Sequence, residues 1–339
     1  MKDGARHAAD VADGFARLDV SALFGQPLVR PDLGGAHALR LVMKLDVDRV
    51  HVFPEASRMF SRTRAALTGL TGLVDHLLTP ARAAGLIDDD GAYDVFLATL
   101  FILVIDDRFD EAMGIPASAD VVDRFVAQLL VRAASTAGDV PSCFLVALFE
   151  RLRLRPGWVR FGGLFADEIE AMIRGMALES KERGGFVKAP SSFEEYLAYA
   201  GDSVGLGVGL AAALVVINDC SVEKCISPIR QVHRLASRMA RIANDLRSRK
   251  RELKEGRSNI ITVAARQLGI PDGRVVAEQS TLMGAIEALA LRELASLRGA
   301  LRLIGSVTGV PEEIAMRAVT GLLTLYEVGD LHDFSQPTA

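Results

Sequence analysis

Three neighbouring aspartates, Asp106, Asp107 and Asp110, follow five consecutive apolar residues in the stretch FILVIDDRFDEA. Carboxylates at the end of a buried segment repel each other and lose hydration, so a cation is expected beside them. On a helix, Asp106 and Asp110 share a face, and two such carboxylates can hold a hard divalent ion. Asp107 points about 100° away and is the weaker ligand candidate. A helix end that opens to solvent, with ion pairs to Arg108, is the alternative interpretation.

A second polar array lies about 140 residues later, where Asn244, Ser248 and Glu252 are spaced four residues apart. On a helix they form one stripe that drifts about 40° at each interval. An amide oxygen, a hydroxyl and a carboxylate are oxygen ligands suited to one Mg²⁺. The same segment is basic and contains Arg241, Arg247, Arg249, Lys250 and Arg251. Metal ligands beside guanidinium groups indicate a polyphosphate ligand; a solvated, charge-laced helix is the alternative.

Acidic residues also cluster in IDDDGAYD, residues 87–94, just before an apolar segment. Aspartates in this position cap a helix N-terminus and complement the helix dipole, so capping is the simpler interpretation here. Glycines recur at Gly201, Gly205 and Gly209. They predict either a close contact between helices or a bend in a weakened helix.

The elements that must position these residues are helices. Apolar residues recur with helical period along most of the chain, short breaks contain proline or glycine, and strand alternation is not sustained. The pattern predicts an all-α protein with one large helical domain over residues 46–330. Residues 1–45 are expected to form a loosely ordered N-terminal arm, and residues 331–339 a frayed tail.

Composition narrows the function classes. The chain has 339 residues, half of them hydrophobic, and a net charge of −4, which gives no reason to expect nucleic acid as a partner. Three cysteines, few and odd in number, favour buried thiols and a reducing, cytoplasmic location. The N-terminus has no apolar signal region. The longest apolar run, residues 204–217, is too short to span a bilayer.

Taken together, the motifs resemble those of the class I terpene synthases. The sequence DDRFD, residues 106–110, is similar to the aspartate-rich motif DDxxD of that family. The sequence NDLRSRKRE, residues 244–252, is similar to its second metal motif, NDxxSxxxE. The stretch FEEYLAYAGDSVG, residues 193–205, resembles the kinked helix between the two motifs. The resemblance covers roughly residues 45–330, and the pair of motifs in this order is specific.

The resemblance implies a helical bundle around a deep apolar cavity, with the two metal motifs on opposing helices at its mouth. Three Mg²⁺ ions would bind the diphosphate of an isoprenoid. The diphosphate would then leave, and the resulting carbocation would rearrange or cyclise. Asp106 and Asp110 match the first metal group, with Asp107 as a further catalytic candidate. The second group is matched by Asn244, Ser248 and Glu252. Diphosphate contacts are expected from Arg251, Arg247 and Lys250. The cavity and kinked-helix positions are Phe101, Ala200, Ser203, Val204 and Gly205.

The chain also departs from the family pattern. Bacterial members usually carry a diphosphate-sensing arginine in the kinked helix, where this sequence has Ala200; Ser203 and Val204 then fill the linker and effector positions. The C-terminal Arg-Tyr pair of the family is reduced to Tyr326. Basic residues in a possible closing loop could replace these donors; they are Lys181, Arg183 and Lys188.

The expected substrate follows from the scarcity of aromatic residues, which make up 6% of the chain with one Trp and four Tyr. Aromatic faces stabilise cations, so a wide aliphatic cavity suits a partly rigid substrate with a short cation path. The favoured hypothesis is a bacterial diterpene synthase. Its substrate would be a bicyclic C20 diphosphate of the copalyl (labdane) type, supplied by a class II diterpene cyclase. Linear geranylgeranyl and farnesyl diphosphates are the runners-up. A chain-elongating prenyl diphosphate synthase and a non-catalytic helical binding protein are the alternatives. The oligomeric state does not follow from the sequence, and a homodimer is one candidate.

Overall fold

The structure is a computed structural model that describes residues 64–113, 118–132, 140–255, 257–275 and 277–328. Within these ranges the chain forms eleven α-helices, two short 3-10 helices and no strand. The α-helices are α1 Arg64–Ala83, α2 Asp89–Met113, α3 Ala119–Arg132, α4 Val140–Arg153, α5 Trp158–Arg183, α6 Phe193–Ser203, α7 Leu206–Ile217, α8 Ile226–Glu255, α9 Ile260–Gln267, α10 Gln279–Ile304 and α11 Val310–Val328. The 3-10 helices are Cys220–Cys225 and Asp272–Arg274. The predicted all-α fold is confirmed.

Helix α7 occupies the centre of the bundle. Its sequence, LGVGLAAALVVI, is small and apolar on every side, which is typical of a fully buried helix. Every residue from 207 to 217 is buried, and the helix packs against α2, α5, α8 and α11. Helix α1 completes this layer by packing against α2 and α11.

The C-terminal parts of α2, α5, α8 and α11 meet at one end of the bundle, called the site end below. Tyr326 of α11 accepts a hydrogen bond from Asn244 of α8, and Glu179 of α5 pairs with Arg241 of α8. Asp106 of α2 is close enough to Glu179 to raise its pKa. The C-terminal ends of helices carry partial negative charge, so their convergence favours a cation at this end.

A second, smaller apolar cluster joins α6, α9 and α10 beside α8. Its members include Phe193, Tyr196, Leu197 and Ala200 of α6, packed with residues of α9 and α10. Helix α9 begins with a capping box, in which the Asn259 side chain and Thr262 satisfy backbone groups of the first turn. The cluster holds α6 and the start of α9 against the C-terminal half of α8.

The predicted N-terminal arm and frayed tail lie outside the described residues. Among the described helices, no single one is long and apolar enough to cross a membrane. The bent pair α6–α7 meets the length and hydropathy criteria only when the two helices are counted together, and α7 is buried inside the bundle.

Candidate active site

Helix α8 brings the predicted stripe together. The Ser248 hydroxyl donates to the Asn244 carbonyl oxygen at 2.8 Å and lies 3.3 Å from its side-chain oxygen Oδ1. Ser248 and Glu252 are 3% and 4% exposed. The three oxygen-bearing side chains therefore face inward rather than towards bulk solvent, which argues against the alternative of a solvated helix face.

Both ends of the stripe are held by residues from other helices. The Asn244 amide nitrogen Nδ2 donates to the Tyr326 hydroxyl at 3.0 Å. The Asn259 amide donates to Glu252 Oε2 at 2.7 Å and to the Asp245 carbonyl oxygen at 2.8 Å. Because Tyr326 engages the Asn244 nitrogen, the amide presents its oxygen to the remaining space. Hydrogen bonds of this kind orient ligands before a metal binds.

The aspartate-rich motif lies in the last turns of α2. Asp106 and Asp107 are partly buried; the side chain of Asp110 lies outside the described part of the chain. Burial raises the pKa of Glu179 on α5, Arg241 and Ser203 lower it, and Glu252 and Asp106 raise it further. One residue from each predicted metal motif, Asp106 and Glu252, thus acts on the same partly buried carboxylate, so both motifs lie near Glu179.

Glu179 itself was missed by sequence reasoning. Its Oε1 accepts hydrogen bonds from the Ser203 hydroxyl at 2.8 Å and from Arg241 at 2.9 Å. The signal was present in the sequence: Met172 and Met176 of α5 face the core, and a carboxylate three residues after Met176 continues that face. Glu179 therefore interacts with Asp106 of the first motif, with Glu252 of the second motif and with Ser203 at the linker position.

Asp245, the residue after Asn244, connects α8 to α6 and α9. It is fully buried and accepts hydrogen bonds from the Tyr196 hydroxyl and the Ile260 backbone N–H, both at 2.7 Å. It also forms an ion pair with Arg241 at 2.7 Å. Burial raises the pKa of Asp245 to about 8, with Arg241 opposing and Glu252 adding to the shift. The Arg241 guanidinium also lies over the Tyr196 ring. Helix α8, which carries the stripe, is therefore fixed in orientation by α6 and α9.

The predicted diphosphate donors are only partly described. Arg247 and Arg249 are half-buried on α8, whereas the side chains of Lys250 and Arg251 lie outside the described residues. Lys181, which was predicted to lie in a closing loop, is instead in the last turn of α5 and pairs with Asp123 of α3 at 2.6 Å. A role for Lys181 at the diphosphate would require that ion pair to break.

The donor set suits a hard divalent cation. Among the described residues, no three His, Cys, Asp or Glu side chains group closely enough to hold a metal by themselves. The inward-facing oxygens instead combine carboxylate, amide and hydroxyl groups from α2 and α8, which are the ligands that Mg²⁺ accepts alongside water. Burial raises the pKa of Glu179, and repulsion by Glu252 and Asp106 raises it further; a bound cation would offset these effects.

Comparison with known proteins decides the family. The family model described as terpene synthase family 2, C-terminal metal binding, matches residues 98–284, which include both motifs and more than half of the chain. The chain belongs to this terpene synthase family. It is a class I terpene synthase, as the motifs predicted. None of the curated protein sequences matches the chain.

Solved structures of terpene synthases share the fold. Germacradien-4-ol synthase from Streptomyces citricolor is 17% identical, with 96% of this chain and 99% of that chain covered and a TM-score of 0.62. Hedycaryol synthase in complex with HEPES is 20% identical, with coverages of 91% and 96% and a TM-score of 0.58. 2-Methylisoborneol synthase from Streptomyces coelicolor A3(2) is 15% identical, with coverages of 95% and 94% and a TM-score of 0.58. Identities this low concern the fold.

The synthase has the predicted kink between α6 and α7. The two helices are bent by 50°, and Gly205 has a left-handed φ of 71°. A Cβ on Gly205 would lie 2.7 Å from both Ile102 and Met172, so any larger residue would clash. Gly209 is also close to α2, because a Cβ there would lie 3.2 Å from the Thr99 hydroxyl. The glycines provide both a kink and a close helix contact, which the sequence left as alternatives.

Other kinked-helix positions differ from expectation. Ala200 is fully buried in the second apolar cluster and carries no group that could sense a diphosphate. Phe101 was predicted to line the cavity, but it packs edge-on against Phe144 of α4, with ring centroids 5.7 Å apart. The next residue, Ile102, lines a cavity instead. One residue changes the direction of a helical side chain by about 100°, which the apolar run did not resolve.

An apolar cavity, the upper cavity, lies in the bundle between α1, α2, α7 and α11. It is lined by Leu73, Val74, Leu77, Thr99, Ile102, Leu206, Gly209, Leu210 and Ala318. The lining has no aromatic residue, in keeping with the predicted aliphatic pocket. Its volume is only about 30 Å³, room for about two water molecules. This cavity is narrow because aliphatic side chains pack into the space; the wide substrate cavity stays a prediction.

Proposed function

We propose that the protein ionises a prenyl diphosphate in a Mg²⁺-dependent reaction and converts the carbocation into a terpene. One observation carries the proposal. Asp106 from the first motif and Glu252 from the second act on the same partly buried Glu179, at the end of a bundle that contains a cavity lined by aliphatic residues. A metal–diphosphate site above an apolar cavity separates the charged leaving group from the hydrocarbon.

The residues that would hold Mg²⁺ are Asp106 and Asp110 on α2 and Asn244, Ser248 and Glu252 on α8, with Asp107 as a further catalytic candidate. Three ions are expected from the family resemblance, and 2-methylisoborneol synthase, which shares the fold, binds Mg²⁺ and 2-fluoroneryl diphosphate. Bound Mg²⁺ neutralises the negative charge that develops on a leaving diphosphate.

The chain's own groups have distinct roles in this proposal. Tyr326 and Asn259 hold Asn244 and Glu252 in their orientations before the substrate arrives. Arg247, Lys250 and Arg251 bind diphosphate oxygens, because guanidinium and ammonium groups make charge-assisted hydrogen bonds to phosphate. When the carbon–oxygen bond breaks, its electron pair stays with the diphosphate. The aliphatic cavity excludes water, so the cation is not quenched before it rearranges and loses a proton.

The substrate that we propose is a C20 diphosphate, preferably a bicyclic one of the copalyl type delivered by a class II diterpene cyclase. The support is the aliphatic lining of the upper cavity, which offers no aromatic face to fold a linear chain through several cations. Because the cavity is narrow without substrate, the hydrocarbon must displace side chains on entry. Linear geranylgeranyl diphosphate and farnesyl diphosphate are the alternatives.

A competition experiment tests the reaction and the substrate together. The protein is incubated with equal concentrations of copalyl, geranylgeranyl and farnesyl diphosphates and Mg²⁺, and terpene products and pyrophosphate are quantified. We expect Mg²⁺-dependent products, with the bicyclic C20 diphosphate consumed fastest and Asn244→Ala inactive under the same conditions. Efficient conversion of farnesyl diphosphate, with the bicyclic substrate left unchanged, would contradict the substrate proposal. Products from none of the three would contradict the reaction.

A further inference from the structure

A second apolar cavity, the lower cavity, lies further from the site end, between α7, α8, α10 and α11. It is lined by Leu210, Ala213, Leu214, Ile217, Ile229, Val232, His233, Ile304, Pro311, Ile314 and Ala315. Its volume is about 10 Å³, room for about one water molecule. Its lining is aliphatic except for His233, whose Nδ1 is 2.9 Å from Glu168 Oε1.

The two cavities are stacked along the same pair of helices. On α7, Leu206 and Gly209 line the upper cavity, while Ala213, Leu214 and Ile217 line the lower one. On α11, which runs towards the site end, Ala315 lines the lower cavity and Ala318, one turn later, lines the upper one. Tyr326 at the end of α11 contacts Asn244. The upper cavity is therefore the nearer to the metal ligands.

Among the described residues, Leu210 is the one that lines both cavities. It is 3% exposed and belongs to the central core. Residues 206–217 of α7 rise about 16 Å along the helix axis, so the stacked cavities follow a path long enough for an extended hydrocarbon. Because Leu210 lines both cavities, truncating its side chain would enlarge the space available to each.

We infer that Leu210 sets the length of hydrocarbon that the enzyme accepts, an inference that rests on the proposed terpene synthase reaction. The diphosphate is held at the site end, so the hydrocarbon extends from the upper cavity towards Leu210. A chain that ends in the upper cavity displaces other lining side chains and leaves the Leu210 side chain in place. A longer chain must displace that side chain and enter the lower cavity. Leu210 is thus a specificity-determining residue that acts by steric hindrance.

The test measures kcat/KM for geranylgeranyl and farnesyl diphosphates with wild type, Leu210→Val and Leu210→Ala. Each methylene in an apolar pocket changes substrate discrimination by about tenfold or more. We expect the C20-to-C15 ratio of kcat/KM to rise in the order Leu, Val, Ala, with an increase of roughly tenfold or more for Ala. The matched control is Leu297→Ala, because Leu297 is buried in the same core and lines neither cavity.

The Leu297→Ala variant should lose stability and keep the wild-type ratio. If Leu210→Ala does not fold, as judged by circular dichroism, the milder Leu210→Val carries the test. Ratios for folded Leu210 variants that match wild type, or that change equally in Leu297→Ala, would overturn the role of Leu210 while leaving the reaction intact. A wild-type protein that converts neither diphosphate would overturn the proposed function itself, and with it this inference.

Discussion

Carboxylates near the two ends of α2 have different charged partners. Asp94, near the start of α2, is 1% exposed and accepts hydrogen bonds from Arg151 at 2.7 Å and Arg155 at 2.6 Å. Asp106 lies twelve residues later on the same helix, about 18 Å away along its axis. There the nearby Glu179 has one arginine partner, Arg241, and its pKa is raised by burial and by two other carboxylates.

The difference separates a structural charge site from one suited to a ligand. At Asp94 the protein itself supplies two guanidinium groups, so the buried charge is neutralised within the fold. Around Glu179, burial raises the pKa of that carboxyl, and Glu252 and Asp106 on two other helices raise it further, so a cation placed there would favour its ionised form. Substitutions at the two ends should therefore fail in different ways, one losing stability and the other losing metal-dependent activity.

The largest expected effect is at the metal ligands. Asn244→Ala and Glu252→Ala should each slow pyrophosphate release by roughly a hundredfold to a thousandfold, because each removes an oxygen that stabilises the leaving diphosphate through the metal. Circular dichroism should show wild-type helix content. Near wild-type turnover of both variants in Mg²⁺ would remove the basis for the comparison.

Asp94→Ala should show the opposite behaviour. It leaves Arg151 and Arg155 without their buried partner, which costs about 3–5 kcal/mol of stability. The folded fraction should keep wild-type kcat, because Asp94 lies far from the site end. Chemical denaturation gives the loss of stability, and turnover per folded molecule gives the control. A variant of normal stability with impaired kcat would mean that this end, too, serves the reaction.

Tyr326→Phe sharpens the account of the site end. The change removes the hydroxyl that holds the Asn244 amide, and loss of a hydrogen bond to a metal ligand weakens metal affinity by roughly 10–100-fold. The apparent Mg²⁺ affinity in the presence of inorganic pyrophosphate should fall, and high Mg²⁺ should restore most of the turnover. Tyr199→Phe, which removes a hydroxyl bonded to Glu182 instead, is the matched control. Equal Mg²⁺ affinities for the two variants would show that Tyr326 does not orient Asn244.

The smallest expected effect is on how the stability of the protein changes with pH. The folded-state pKa of Asp245 is about 8, above its ordinary value of 3.8. Between these two pKa values the folded protein therefore binds more protons than the unfolded chain. The stability that protonated Asp245 contributes is lost as the pH rises towards 8. In a chelator, the unfolding midpoint of wild type should fall over this range. Asp245→Asn should flatten the slope, whereas parallel curves for the two proteins would contradict the shifted pKa.

Sequence reasoning anticipated the elements better than the partners between them. The stripe of Asn244, Ser248 and Glu252 was predictable because its geometry depends on one helix and its period. Asp88 behaves as the predicted helix cap, since its carboxylate accepts the Gly91 N–H at 2.6 Å. Asp94, read as part of the same cap, is instead a buried ion pair. Its partners lie 57 and 61 residues away in the sequence, a separation that no local pattern reveals.

The same limit applies within the site. The kink was predictable from glycine spacing, but the contact of Gly205 with Ile102 and Met172 depends on three helices. Glu179 was missed because its importance comes from two charges on other helices rather than from its neighbours in sequence. The narrow cavity was likewise not predictable, because composition indicates which residues line a space and not how tightly they fill it.

The most direct test of the central claim is calorimetric titration of inorganic pyrophosphate into the full-length protein, with Mg²⁺ and with a chelator. The central claim is that the site end is an acidic, inward-facing ligand set that binds diphosphate only through Mg²⁺. Wild type should bind pyrophosphate in Mg²⁺ and not in the chelator, and Glu252→Gln should lose most of that binding while Asp94→Asn keeps it when folded. Equal binding with and without Mg²⁺, or undiminished binding by Glu252→Gln, would contradict the account.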